Sequence, residues 1–184
     1  HTLVASMVVR NFGSKIVDPS VRAKAEQLWQ HTVHVAALAK VIARRITYVN
    51  ADTAVFAAIV HEVGGFYLLS RAEEFPSLLD DDLENWQASS EDTIAREVMN
   101  KLSIPEPVSS AIEALRTSLL TIPPDSLTDT LLLANHLAPV LSPLSQQATA
   151  TASQSESVLD FVANNEKLLN SIVEESAAEA RSTS

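Results

Sequence analysis

DPSVRAKAEQLWQHTVHVAALAKVIARRI, residues 18–46, reads as one long helix, and the rest of the chain can be placed by what that helix must pack against. Asp18 offers a side-chain oxygen to the free N–H groups of a first turn. Pro19 suits the first helical position, where its missing N–H would have had no helical partner. Val21, Ala25, Leu28, Trp29, Thr32, Val35, Ala36, Ala39 and Ile42 return at steps of three and four, which predicts one buried stripe. No part of the chain alternates apolar and polar residues as a half-buried strand would.

Working outward, Asn50 or Asp52 can cap a second helix over residues 53–63. It is apolar almost all round from Ala54 to Val60 and therefore belongs in the middle of a bundle. Gly64-Gly65 is expected to stop it, with a short helix over 66–74 before Pro76. Further helical periodicity covers 90–102, 108–119 and 127–141, the last opened by Ser126 and Asp129 in the pattern of a capping box. Residues 142–157, rich in Ser, Thr, Gln and Ala, read as a linker. A last amphipathic helix over 158–177 carries Val158, Phe161, Val162, Leu168, Leu169, Ile172 and Val173. The expected fold class is all-α: six or seven helices, with a bundle over 1–141, the linker, and a C-terminal helix with a frayed tail over 158–184.

Composition narrows the function. The 184 residues are 46% apolar, enough for one sizeable core. The absence of Cys excludes a disulfide framework, a thiolate zinc site and a Cys nucleophile. Gly13, Gly64 and Gly65 are the only glycines, too few for a Gly-rich phosphate cradle. A net charge of -10 opposes a nucleic-acid surface, which needs clustered Lys and Arg. The charge is uneven: residues 1–45 hold seven basic residues against Asp18 and Glu26, while eight acids and no base lie between Ala72 and Ala95. Such a run most often marks a solvated face, and less often a dock for a basic partner. No uninterrupted apolar run nears the ~18 residues of a membrane span, and no basic-then-apolar leader opens the chain. A cytoplasmic location with no membrane partner is expected. The chain starts at His1 rather than Met, as a piece of a longer protein would.

Three of the five histidines fall on the two helices expected to be most buried. His31 shares the stripe with Leu28 and Val35, His34 follows one turn on, and His61-Glu62 ends the second helix. An imidazole beside a carboxylate, with a second imidazole from a packed helix, can begin a metal site, which needs neutral rings and an ionised acid. The same residues can equally be core histidines bonded to each other, to a backbone carbonyl or to Asn135. Trp29 and Trp86 read as packing residues, and His136 as a surface one.

Trp29-Gln30-His31-Thr32 with Ala36, Ala39 and Ile42 is followed by Phe56-Ala57-Ala58-Ile59-Val60-His61-Glu62-Val63-Gly64. Then come Leu102-Ser103-Ile104-Pro105, Ile112 and Leu133-Ala134-Asn135. In order and spacing this resembles the HD superfamily, and within it the HDOD subfamily, the HD-related output domains of bacterial signalling proteins, over about residues 25–140. The helical half that usually precedes these motifs is not found in residues 1–24. The resemblance implies an HD-like bundle and maps the ligands of catalytic HD phosphohydrolases onto His31, His61, Glu62 and Asn135. Glu62 stands for an Asp, one methylene longer, and Asn135 for another Asp, its charge gone. Further histidines of cyclic-dinucleotide-cleaving relatives map onto Glu91, Leu115 and Arg116. With the anionic ligands reduced, the resemblance implies vestigial positions, no metal, no cofactor and no catalysis.

The expected function is a regulatory signalling module acting through protein partners, with a homodimer through the C-terminal helix as one form of contact. Two rivals remain. One is a metal-dependent phosphodiesterase using His31, His61 and Glu62 with a further ligand such as Asp129. The other is a sensor whose vacated pocket takes a small molecule or anion.

Overall fold

The computed structural model describes residues 17–72, 74, 84–144 and 152–182, and for 84–92, 152–155 and 180–182 the helical backbone alone. Residues 1–16, most of the acidic run, part of the expected linker, and the side chains of Trp86 and Glu91 therefore lie outside what is described. Helix α1 (Pro19–Ile42) starts as expected, Asp18 Oδ1 accepting from Ser20 N at 2.8 Å and Val21 N at 3.1 Å. It runs on as a π-helical turn, Ala43–Thr47, that ends at Tyr48 in the left-handed region (φ 55°). Then follow α2 (Ala51–Val60), α3 (Val63–Arg71), α4 (Glu84–Lys101), α5 (Glu106–Ala114), α6 (Leu127–Leu137), α7 (Ala152–Asn164) and α8 (Glu166–Ser182). Among the described residues there is no strand, and the protein is an all-α bundle.

α1 is the axis of the bundle, packed by α2, α6 and α8. Its Leu28, Val35, Leu38, Ala39, Val41 and Ile42 are buried. Opposite them α2 presents Ala54, Ala57 and Ala58, small enough to let the two helices approach closely, and α6 presents Leu131, Leu133 and Ala134. A second, smaller core joins the start of α1 to α3 through Val21, Ala25, Leu28, Phe66 and Leu69. The capping box is present: Ser126 Oγ accepts from Asp129 N at 3.0 Å, and Asp129 Oδ2 accepts from Ser126 N at 3.1 Å.

Gly64-Gly65 does not stop the second helix. The break falls earlier, at Glu62 (φ -100°, ψ 13°), and both glycines are buried in the first turn of α3. No described glycine has positive φ, so Gly65 serves space rather than a turn. A Cβ there would lie 2.6 Å from Leu144 Cδ1 and 3.3 Å from Leu28 Cδ2. α4 begins at Glu84 rather than near Ser90, and α5 ends at Ala114 rather than 119. α6 ends at Leu137, leaving residues 138–144 as an irregular segment across the bundle. α7 begins at Ala152, within the stretch read as linker, and the single helix expected over 158–177 is two, parted at Asn165.

α8 lies on α1 with Leu169 and Ile172 buried. The pair is flanked by Lys40–Glu179 at 2.6 Å, Arg44–Glu179 at 3.2 Å and Arg45–Glu175 at 3.1 Å. The stretch Ala51–Arg71, contrary to expectation, is long and apolar enough to cross a membrane, with mean hydropathy 1.4. Its most apolar part is 56% buried inside the bundle, as a core segment's would be.

Candidate functional site

Three parts of the fold bring His31, His61, Glu62 and Asn135 together. His31 sits on the buried stripe of α1, Asn135 is in the last turns of α6, and His61-Glu62 is the break between α2 and α3. That break matters, since a continued helix would carry Glu62 around to another face. Ligand atoms of His31, His61 and Glu62 lie within 4.8 Å of one another, and the two rings are 5.7 Å apart between centroids. The side chains of His31, His61 and Glu62 are 4%, 5% and 12% exposed.

Each ring is tied from behind. His31 Nδ1 donates to the carbonyl of Val140 at 2.7 Å, and His61 Nδ1 to that of Ala58. Both Nε2 atoms turn to one oxygen, Asn135 Oδ1, at 3.1 Å from His31 and 3.2 Å from His61. The Asn135 amide is oriented by its own Nδ2, which donates to Leu131 O at 3.0 Å. Glu62 Oε1 approaches the same centre, 3.7 Å from His31 Nε2 and 3.8 Å from His61 Nε2. Burial pushes the His61 imidazole below its ordinary pKa, outweighing the opposing pull of the Glu62 charge.

Two Nε2 atoms, an amide oxygen and a carboxyl group face one another, and a ring bonds Asn135 Oδ1 by donating a hydrogen from Nε2. Every buried side-chain N or O among the described residues has a hydrogen-bond partner. Reversing the Asn135 amide would set its oxygen against the Leu131 carbonyl, so that bond fixes which way the amide points.

The segment after α6 is tied to this region at three points. Besides the Val140 bond, the Leu141 carbonyl accepts from Gln27 Nε2 at 3.0 Å. Leu144 Cδ1 occupies the space over Gly65, where a Cβ would also lie 3.5 Å from Glu62 Oε2.

Asp129 is elsewhere. It is 1% exposed and accepts from Thr121 N at 2.8 Å, Asp125 N at 3.2 Å, Ser126 N at 3.1 Å and Ser126 Oγ at 2.6 Å. Six residues before Asn135, it stands about 9 Å away along α6. Leu115 ends α5 half-buried against the main core, and Arg116 follows in the turn. His34 is half-buried on α1, and His136 is exposed. The sequence reading missed Val140, Gly65 and Leu144. A backbone carbonyl carries no sequence signal, and the Gly-Gly pair was read as a helix stop.

An all-α bundle with paired histidines and an acid at the α1/α2–α3 junction is an HD-type arrangement. The model of the HDOD domain matches residues 1–104, more than half of the chain, and the chain belongs to that family of HD-related output domains. The matched span includes residues 1–24, where no family element had been read, and it ends before Asn135. No curated protein and no solved structure matches the chain.

Proposed function

We propose that this HDOD domain is a non-catalytic bacterial signalling module of the cytoplasm that acts through protein contacts, its polar cluster fixing α1, α2–α3 and α6 in register. The observation that carries the reading is the enclosure of the cluster, with His31, His61 and Glu62 each no more than 12% exposed. A hydrolase must admit a phosphate ester and an attacking water to its metal. Here the rings are buried with His31 bonded to the Val140 carbonyl, one carboxyl group remains in the cluster, and Asp129 is committed to the 121–126 turn.

Surface features support contact with a partner. Leu119 (52% exposed) and Ile122 (68%) flank a loop tied to α7 by the Leu120 N to Ser157 Oγ bond, and Leu159 on α7 is 54% exposed. The apolar stripe of α8 is already used within the chain, so a homodimer would need another face or an exchange of α8 between copies.

The test is hydrolysis of bis(p-nitrophenyl) phosphate and of cyclic dinucleotides with Mn²⁺. The expected rate equals that without protein, and His61→Ala leaves it unchanged. Mn²⁺-dependent hydrolysis that disappears in His61→Ala would overturn the proposal.

A further inference from the structure

We propose that α8 is exchanged between two copies of this chain: α7 and α8 join into one helix through Asn165, and each α8 seats on the α1 of the other copy. The inference rests on the protein-contact reading and deepens it, naming a second copy as a partner. It is independent of the polar cluster.

The break at Asn165 is the first ground. Phe161, Asn165, Leu168 and Ile172 follow at steps of four, three and four, so the apolar stripe of α7 continues into α8 in phase. The pattern is that of one helix, yet two are formed. The asparagine holds them apart. In an unbroken helix Phe161 O would accept from Asn165 N. Here Asn165 N donates to Val162 O at 3.2 Å, and Asn165 Nδ2 takes Phe161 O at 2.9 Å. Its side chain thus competes with the backbone for one carbonyl, as Asn does outside regular helix. Helical bonding resumes at once, Leu169 N donating to Asn165 O at 3.0 Å. A single residue separates the broken form from the continuous one.

The second ground is where α8 finds its contacts. Its main neighbour is α1, distant in sequence, and not α7. Leu169 and Ile172 are buried there, and Glu175 and Glu179 pair with Arg45, Arg44 and Lys40. α7 is held to its own bundle separately, by Val158 in the main core and by the Leu120 N to Ser157 Oγ bond. Joined to α7, α8 becomes an arm of about 26 Å. On a second copy it meets the same α1 surface, so every apolar contact and ion pair is regained, the condition under which exchange between protomers costs little. The continuous helix adds one backbone bond per chain. The three basic side chains at the end of α1 fix the register, because only the acidic face of α8 matches them.

Sedimentation equilibrium of the full chain over a range of concentrations is the first measurement. A monomer–dimer equilibrium is expected. Asn165→Ala removes the competing amide and supplies a better helix former, so association should rise about tenfold, about threefold from each chain. Asn165→Pro, whose ring clashes with the Phe161 carbonyl in a continuous helix, should remain monomeric. The second measurement mixes two surface variants, Lys40→Glu/Arg44→Glu/Arg45→Glu and Glu175→Lys/Glu179→Lys, and reads pairing by native mass spectrometry. Within either variant α1 and α8 repel, whereas across the pair each α8 meets an α1 of opposite charge. Heterodimers should outnumber both homodimers, and should vanish when Asn165→Pro is added to both chains. A native chain that stays monomeric at every concentration overturns the inference. So does a dimer equally strong in Asn165→Ala and Asn165→Pro, a mixture without preferred heterodimers, or heterodimers that persist with Asn165→Pro. None of these outcomes touches the phosphodiester assay, which decides the non-catalytic reading by itself.

Discussion

His61 is kept neutral by its surroundings, and this gives stability a sign with pH. Its folded pKa is lowered, chiefly by burial, so between that value and the ordinary 6.5 the unfolded chain binds more protons. Stability from this group is fully present above about pH 6.5 and is lost as pH falls through the folded pKa, by at most about 1.4 kcal/mol per pH unit. Urea unfolding of the metal-free chain at pH 7.5 and 5.5 should show this loss, and His61→Gln should show a smaller one. An equal loss in both would mean that the ring is not the source. Asp129 gives a contrasting prediction. Its carboxylate accepts four bonds at one turn, so Asp129→Ala should cost about 3 kcal/mol by urea unfolding with no change in the pH dependence set by His61. The two sites differed in legibility. The capping box was readable because its partners are three residues apart. Asn135 was placed opposite the histidines by family likeness, yet which of its amide atoms faces them depends on the Leu131 carbonyl, a tertiary matter.

Among the elements, α8 shows how burial and charge divide the work. Ile172 is fully buried beneath it, and Ile172→Ala should cost about 2–5 kcal/mol. The Glu175 and Glu179 pairs with Lys40, Arg44 and Arg45 are partly solvated. Replacing both acids by Gln should cost only about 0.2–1 kcal/mol per pair lost, a difference that shrinks further in high salt. Thermal melts of the two variants decide it, and the reverse order would make the contact electrostatic. The stripe of α8 could be read from Leu168, Leu169 and Ile172, because its period is local. That it packs against α1 could not, since nothing near 170 in sequence points to residue 40. The Gly64-Gly65 reading failed for the same reason: a helix-stop signal was outweighed by the space that Leu144 and Leu28 require.

For the molecule as a whole, the matched span and the folding unit are different lengths. The family match ends at residue 104, but the main core does not. Leu131 and Leu133 of α6 and Leu169 and Ile172 of α8 are at most 2% exposed and pack in one cluster with Val35, Leu38, Ala57 and Ala58. Each such side chain is worth about 1.5–3 kcal/mol on burial, so removing these four alone forfeits about 6–12 kcal/mol. That is comparable with the whole stability of a typical domain, about 5–15 kcal/mol. α1, most of whose buried positions face α2, α6 and α8, would be left with two of its packed sides open to water. A fragment of residues 1–104 should therefore show no cooperative urea transition, while the full chain shows one. Adding residues 105–184 as a separate polypeptide should restore the transition in part, because the contacts are recovered but the covalent link is not. A cooperative unfolding curve for the fragment alone, with a midpoint near that of the full chain, would mean that α6 and α8 decorate a core that is complete without them.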